Sequence, residues 1–244
     1  MAVIAVYSVK GGVGKTTMAT NLAWCSATLS RRETLLWDLD ASGGAGFLLG
    51  LDEGAKSVAT SVFALERDPL KLVRKTAIER LDVLPADETK GALDNQFLDL
   101  GKRQRLGRIA RTLGKSYERI VFDCPPVLGE TSGQVVRAAD LVIVPLPPSP
   151  LSRRSFDLVV AQVKANTVQH PPILPVLSML DMRRNLHRAA REENPDWPAI
   201  PQASAAEQCA VRRQPLGEFA RTSAAAHAFE RLWTAIERKL ANLR

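Results

Sequence analysis

Short apolar runs alternate along the chain with stretches in which apolar positions return at helical spacing. The runs lie at residues 3–7, 34–37, 81–84, 120–122, 141–144 and 173–177, and each stops at polar or turn residues, the pattern of strands buried on both faces. Helical spacing covers 16–29, 103–113, 152–166 and 217–243. Strand and helix in alternation predict a single α/β domain over residues 1–244, a mostly parallel twisted sheet with helices on both faces. No internal repeat, low-complexity tract or long linker interrupts it, and Asn194-Pro195-Asp196-Trp197-Pro198 reads as a surface turn.

In such sheets ligands sit at the carboxyl ends of the strands, and three polar segments fall there. The segment Lys10-Gly11-Gly12-Val13-Gly14-Lys15-Thr16-Thr17 joins the first run to the first helix. A glycine turn entering a helix aims backbone N–H groups and a helix N-terminus at one spot, which suits a triphosphate. Gly11, Gly12 and Gly14 permit close approach, Lys15 would reach the β- and γ-phosphates, and the Thr16 hydroxyl would ligate magnesium. The common pattern G-x-x-x-x-G-K-S/T requires glycine at position 9, where this chain has Val9, and a second lysine, Lys10, follows it. After the second run, Trp37-Asp38-Leu39-Asp40-Ala41-Ser42-Gly43-Gly44 places two carboxylates facing the crevice that holds Lys15, and Asp123 ends the apolar stretch Ile120-Val121-Phe122.

The string Lys10 to Thr17 resembles the deviant phosphate loop of the ParA/MinD family of P-loop ATPases. Asp38 and Asp40 are similar to that family's D-x-D segment, although Ala41 and Ser42 replace its usual proline and glutamine; Asp123-Cys124-Pro125-Pro126 is similar to its D-x-P-P ending. The resemblance covers nearly the whole chain, specific through residue 150 and looser after it. It implies a homodimer in the ATP state, with ATP and Mg2+ as cofactors and slow basal hydrolysis. It implies further that Lys10 reaches across the nucleotide sandwich to the phosphates of the other subunit, that Asp40 orients the attacking water and supports magnesium, and that Asp123 holds magnesium through water. Pro147 and Pro148 look like the family's P-x-x-P-S segment beside the nucleotide, and Pro201 and Gln202 like its late segment near the adenine.

Charge adds a candidate partner. Lys and Arg number 33 against 26 Asp and Glu, a net +7, which fits a polyanionic partner or simply a basic surface. Arg183, Arg184, Arg188 and Arg191 fall in a helix after Asp181, with Arg212 and Arg213 beyond it. The resemblance implies that surface cations of the ATP-bound dimer hold double-stranded DNA without sequence preference, and these six are the candidates. The run Lys102, Arg103, Arg105, Arg108, Arg111 and Lys115 carries Leu106, Ile109 and Leu113 and reads as an ordinary covering helix. Near the end, Phe229, Leu232, Trp233, Ile236 and Leu240 share one helical face; Glu230 and Glu237 dilute its basic side, so core packing is favoured over membrane contact.

Cys25, Cys124 and Cys209 are widely separated and form no C-x-x-C pair, which argues against a disulfide framework, a zinc site or a cluster and fits a reducing cytoplasm. The start reads as a buried strand rather than a leader, with no N-terminal helix-turn-helix, and no apolar run approaches the roughly 20 residues that span a bilayer. The expectation is a cytoplasmic, nucleoid-associated ATPase that partitions or positions a DNA or protein cargo, its hydrolysis stimulated by a ParB-like or cargo-adaptor protein. The alternatives are a MinD-like membrane-cycling regulator and an ATP-dependent biosynthesis or assembly factor of the same fold.

Overall fold

The computed structural model describes residues 1–51, 68–86 and 104–243. Its strands are β1 (Ala2–Val6), β2 (Thr34–Asp38), β3 (Arg74–Lys75), β4 (Leu81–Leu84), β5 (Arg119–Asp123), β6 (Leu141–Leu146), β7 (Ile173–Leu180) and β8 (Ala199–Pro201). The helices among the described residues are α1 (Lys15–Thr28), α2 (Gly44–Leu48), α3 (Arg105–Leu113), α4 (Glu130–Ala138), α5 (Pro150–Asn166), α6 (Asn185–Glu193), α7 (Ser204–Arg212), α8 (Leu216–Phe219) and α9 (Ala224–Ala241). Among the described residues the sheet runs β3-β4-β2-β5-β1-β6-β7-β8, and only the β3–β4 pair is antiparallel. The chain leaves β1 for β2 on one side and places β6 on the other, so β1 lies at the point where the strand order reverses.

Side chains alternate between two cores, one on each face of the sheet. From β1, Ile4 and Val6 join Val121 of β5 and Ile143 of β6 beneath α1 and α9. Val3, Ala5 and Tyr7 join Phe122 and Val142 beneath α3, α4 and α5. Because central parallel strands are buried on both faces, each reads as a continuous apolar run rather than an alternating one.

The expected strands and first helices are found, with differences that have physical reasons. Helical spacing over 217–243 resolves into α8 and α9, because Ala220 leaves helical geometry and the Ser223 hydroxyl accepts the Ala226 N–H to start a new helix. Helix α4 had no apolar signature: Thr131, Ser132, Gly133 and Gln134 are polar or small, yet buried. The short edge strands β3 and β8 carry too few residues to show a period. Lys102, Arg103 and the start of the helix read from 103 lie outside the described residues, while Leu106, Ile109 and Leu113 of α3 are buried as a covering helix requires.

Helix α9 buries Phe229, Leu232, Trp233, Ile236 and Leu240 in the core, so its apolar face is already occupied. Among the described residues no helix is long and apolar enough to cross a membrane. Arg119, 5% exposed at the start of the interior strand β5, clamps α9 to the amino-terminal end of that strand through a fork onto Glu237, at 2.7 Å from Nε and 2.8 Å from Nη2. Replacing Glu237 by Ala leaves a buried guanidinium without its carboxylate, and we expect a loss of about 3 kcal/mol. Replacing both partners by apolar residues should recover most of that loss. Thermal unfolding of the two variants checks this, and equal midpoints would show that the charge pair is not the clamp.

Candidate functional site

The loop after β1 is shaped by glycine where only glycine is unstrained: Gly12 and Gly14 have φ of +69° and +88°. Gly14 caps α1 with no side-chain acceptor, so the first N–H groups of that helix remain available together with the positive end of its dipole. Lys15 folds back over the loop, 7% exposed, and its Nζ donates to the Lys10 carbonyl at 3.3 Å. Burial lowers the Lys15 pKa, opposed by the charges of Asp123 and Asp40.

Opposite the loop, β2 and β5 end side by side with Asp38 paired in register to Asp123. Both are fully buried, but their oxygens are used differently. Asp38 accepts the backbone N–H of Asp40 at 3.0 Å and of Ala45 at 2.9 Å, holding the turn between β2 and α2. Neither oxygen of Asp123 has a hydrogen-bond partner among the described residues. Burial raises the Asp123 pKa; the Thr16 hydroxyl lies near enough to oppose that, as does Lys15, although no hydrogen bond closes. Burial and then Asp123 itself push Asp38 well above the usual carboxylate range. A buried, unpartnered carboxylate beside a lysine, a threonine hydroxyl and an open helix N-terminus has the donor chemistry that a hard cation and a polyphosphate require together.

Asp40 stands at the entrance, half-buried, its Oδ1 accepting the Ser42 N–H at 3.0 Å. The turn closes tightly over Thr16: a Cβ on Gly44 would lie 3.1 Å from Thr16 Cγ2. Lys10 does not point into open space, since its Nζ donates to Ser152 Oγ at 3.3 Å, in the first turn of α5. Ser152 had no signal in the sequence because 142 positions separate the two residues.

Beyond Gly14 and Thr17 a cavity of about 180 Å³ is walled by the end of β7 and by residues 200–203, which brings Pro201 and Gln202 next to the phosphate loop. The Ser178 hydroxyl donates to the Val13 carbonyl at 3.1 Å, and Met179 turns its backbone to φ +53° and sets its Cε against Gly14. Ser178, Met179 and Glu207 in this wall carry no sequence motif and were missed. Pro147 and Pro148 lie elsewhere, in a groove of about 470 Å³ shared with Leu186 and Trp197.

The six candidate arginines are unequal. Arg213 donates to the Leu51 carbonyl at 2.6 Å and stacks on Phe47, while Arg212 stacks on Phe219, so both serve packing. Arg183 is forked onto Asp181, Arg188 is bonded to the carbonyls of Met182 and Arg183, and Arg191 to that of Trp197. Arg184 is exposed at the start of α6 and has no ion pair among the described residues.

A family model described as AAA domain matches residues 1–172. The chain is 33% identical over 146 residues to the sporulation initiation inhibitor protein Soj of Bacillus subtilis, covering 59% of this chain and 57% of that protein. It is 36% identical over 146 residues to the chromosome partitioning protein ParA of Myxococcus xanthus, covering 59% of this chain and 51% of that protein. The chain thus spans about half the length of these relatives. The septum site-determining protein MinD of Pyrococcus horikoshii, solved with Mg-ADP, superposes with a TM-score of 0.80 at 21% identity, covering 100% of this chain and 98% of that one. Apo McdA of Cyanothece superposes with a TM-score of 0.83 at 20% identity, covering 97% and 99%, and at these identities the likeness concerns the fold.

The unpartnered Asp123 makes a prediction about the empty protein. Burial pushes the Asp123 pKa up to about 7, so above that pH Asp123→Asn removes a buried charge that no hydrogen bond among the described residues offsets, and at pH 8 we expect the nucleotide-free protein to gain about 1–3 kcal/mol in stability. Urea unfolding in the presence of a chelator measures it; a variant no more stable than the parent would mean that Lys15 already neutralises the carboxylate.

Proposed function

The chain belongs to the ParA/MinD family of P-loop ATPases, and from that premise we propose that it is a dimerising ATPase that binds DNA without sequence preference in its ATP state and partitions or positions a DNA or protein cargo. The observation that carries the nucleotide site is Asp123, buried without a hydrogen-bond partner among the described residues where the phosphate loop, Thr16 and Lys15 converge. Support for the cargo role comes from relatives named as partitioning proteins and from the Myxococcus cell division protein PomZ, 29% identical over 158 residues. A Borrelia putative plasmid partition protein of the same fold was solved with AMPPNP, and MinD with Mg-ADP.

In this reading the triphosphate lies along residues 10–17, against the N–H groups of the loop and of the first turn of α1. Lys15 binds the β- and γ-phosphates, and the cavity beside Pro201 and Gln202 takes the base. Thr16 and Asp123 would hold magnesium, with Asp40 supporting it, and the ion supplies charge neutralisation of the phosphate oxygens. Asp40, at the entrance of the crevice, orients the water. Lys10 would leave Ser152 to meet the phosphates of a second subunit, which makes dimerisation part of hydrolysis. A ParB-like or cargo-adaptor protein stimulates turnover, and the protein works in the cytoplasm on the nucleoid.

Three substitutions test the parts. Lys15→Ala should weaken ATP binding by about 10- to 100-fold, the loss of a charge-assisted hydrogen bond, and undiminished affinity in a calorimetric titration would sink the loop assignment. Asp40→Ala should still bind ATP but hydrolyse it slowly and accumulate as dimer, seen by phosphate release and sedimentation; wild-type turnover would remove Asp40 from the reaction. Arg184→Ala should weaken duplex DNA binding across all sequences and reduce the log–log salt slope by about one per subunit. An unchanged slope in a fluorescence titration places the DNA face elsewhere.

A further inference from the structure

A second cavity, of about 360 Å³, lies between α3 and α4 and is closed by the end of α5 and the residues after it, on the face of the sheet opposite α1. Among the described residues its lining includes no carboxylate; Arg111 of α3 and Gln134 and Arg137 of α4 bring donors, and Asn166 at the end of α5, its amide donating to the Gln162 carbonyl, closes the wall. The size falls in the range of roughly 300–1,000 Å³ typical of small-molecule sites.

Two features mark it as built rather than left over. Gln134 is 1% exposed; its Oε1 accepts the Leu106 N–H at 3.1 Å, but its Nε2 donor has no partner among the described residues. A buried amide donor without an acceptor costs free energy that a ligand oxygen would restore. At the opposite wall Arg137 is pre-positioned by Glu130 and by Asn166 Oδ1 at 3.0 Å. This contact depends on Gly133, since a Cβ there would lie 2.6 Å from Asn166 Oδ1 and 3.0 Å from Arg137 Nη1. With Arg137 balanced by Glu130, the uncompensated charge in the cavity is that of Arg111, exposed and with no ion pair among the described residues.

We propose that this cavity binds a small molecule through a phosphate group, Arg111 supplying the guanidinium fork and Gln134 Nε2 a buried donor. A phosphate presents more acceptor oxygens than a carboxylate and matches the Arg111 guanidinium together with the Gln134 amide donor. The site is separate from the phosphate loop, and the proposal does not rest on the ATPase reading.

The test uses the full chain, isotopically labelled, with inorganic phosphate as the probe and amide chemical shifts as the readout. It is run in a Lys15→Ala background so that the phosphate loop binds more weakly, and the shifts are read only at residues around this cavity. We expect saturable shifts at Gly107, Arg111 and Thr167, and affinity reduced about 10- to 100-fold by Arg111→Gln, an exposed position that leaves the fold intact. Gln134→Glu keeps the acceptor for Leu106 and replaces the free donor by a carboxylate, so it should abolish binding. Glycerol 3-phosphate in a parallel titration separates the sources: tighter binding than phosphate identifies a phosphate monoester, equal binding the free anion. The absence of saturable shifts, or saturation unchanged by Arg111→Gln, overturns the proposal. So does a response to duplex DNA without one to phosphate, which would make the α3 surface a nucleic-acid face.

Discussion

The candidate site depends on one electrostatic constraint: two carboxylates, Asp38 and Asp123, end adjacent strands in the buried centre of a parallel sheet. Like charges so placed disfavour ionisation unless something positive or hydrogen-donating answers them. Asp38 is answered by the chain itself, through the N–H groups of Asp40 and Ala45, and in exchange fixes the turn that carries Asp40. Asp123 is answered only in part, by the nearby Thr16 hydroxyl and by Lys15 across the crevice. The glycines at 12 and 14, the uncapped start of α1 and the close fit of Gly44 on Thr16 bring the remaining donors to the same point.

The sheet explains why that point lies where it does. β1 sits between β5 and β6, so the loop leaving β1 and the segments ending β2 and β5 emerge together at one edge. The cores above and below bind this edge into a rigid base, and the Arg119–Glu237 fork ties the last helix to the opposite end of β5. The apolar face of α9 is thereby used for packing.

Much of this was legible because buried parallel strands announce themselves as apolar runs, and because the phosphate loop and the D-x-D and D-x-P-P segments are contiguous in sequence. What escaped was of two kinds. Helix α4 buries polar residues, so periodicity had nothing to register. Contacts made across long separations, such as Lys10 with Ser152, Val13 with Ser178 and Arg213 with Leu51, depend on the fold rather than on any local pattern. The same reason limits charge as a guide: six arginines that look alike in sequence divide into packing cations, cations tied to nearby carbonyls or a carboxylate, and an exposed Arg184.

That division bears on how function should be read from this molecule. Where a polar group serves only the fold, its partners are complete: Asp38 has two N–H donors, Arg119 a carboxylate fork, and Arg213 backbone carbonyls and a ring. Both oxygens of Asp123 and the Gln134 amide nitrogen lack partners among the described residues, as does the Thr20 hydroxyl inside α1, so an incomplete set points outward only where donors from other elements converge beside it. By that criterion the crevice at Asp123 and the cavity at Gln134 belong to the same class of feature, although only the first is written in the sequence as a motif.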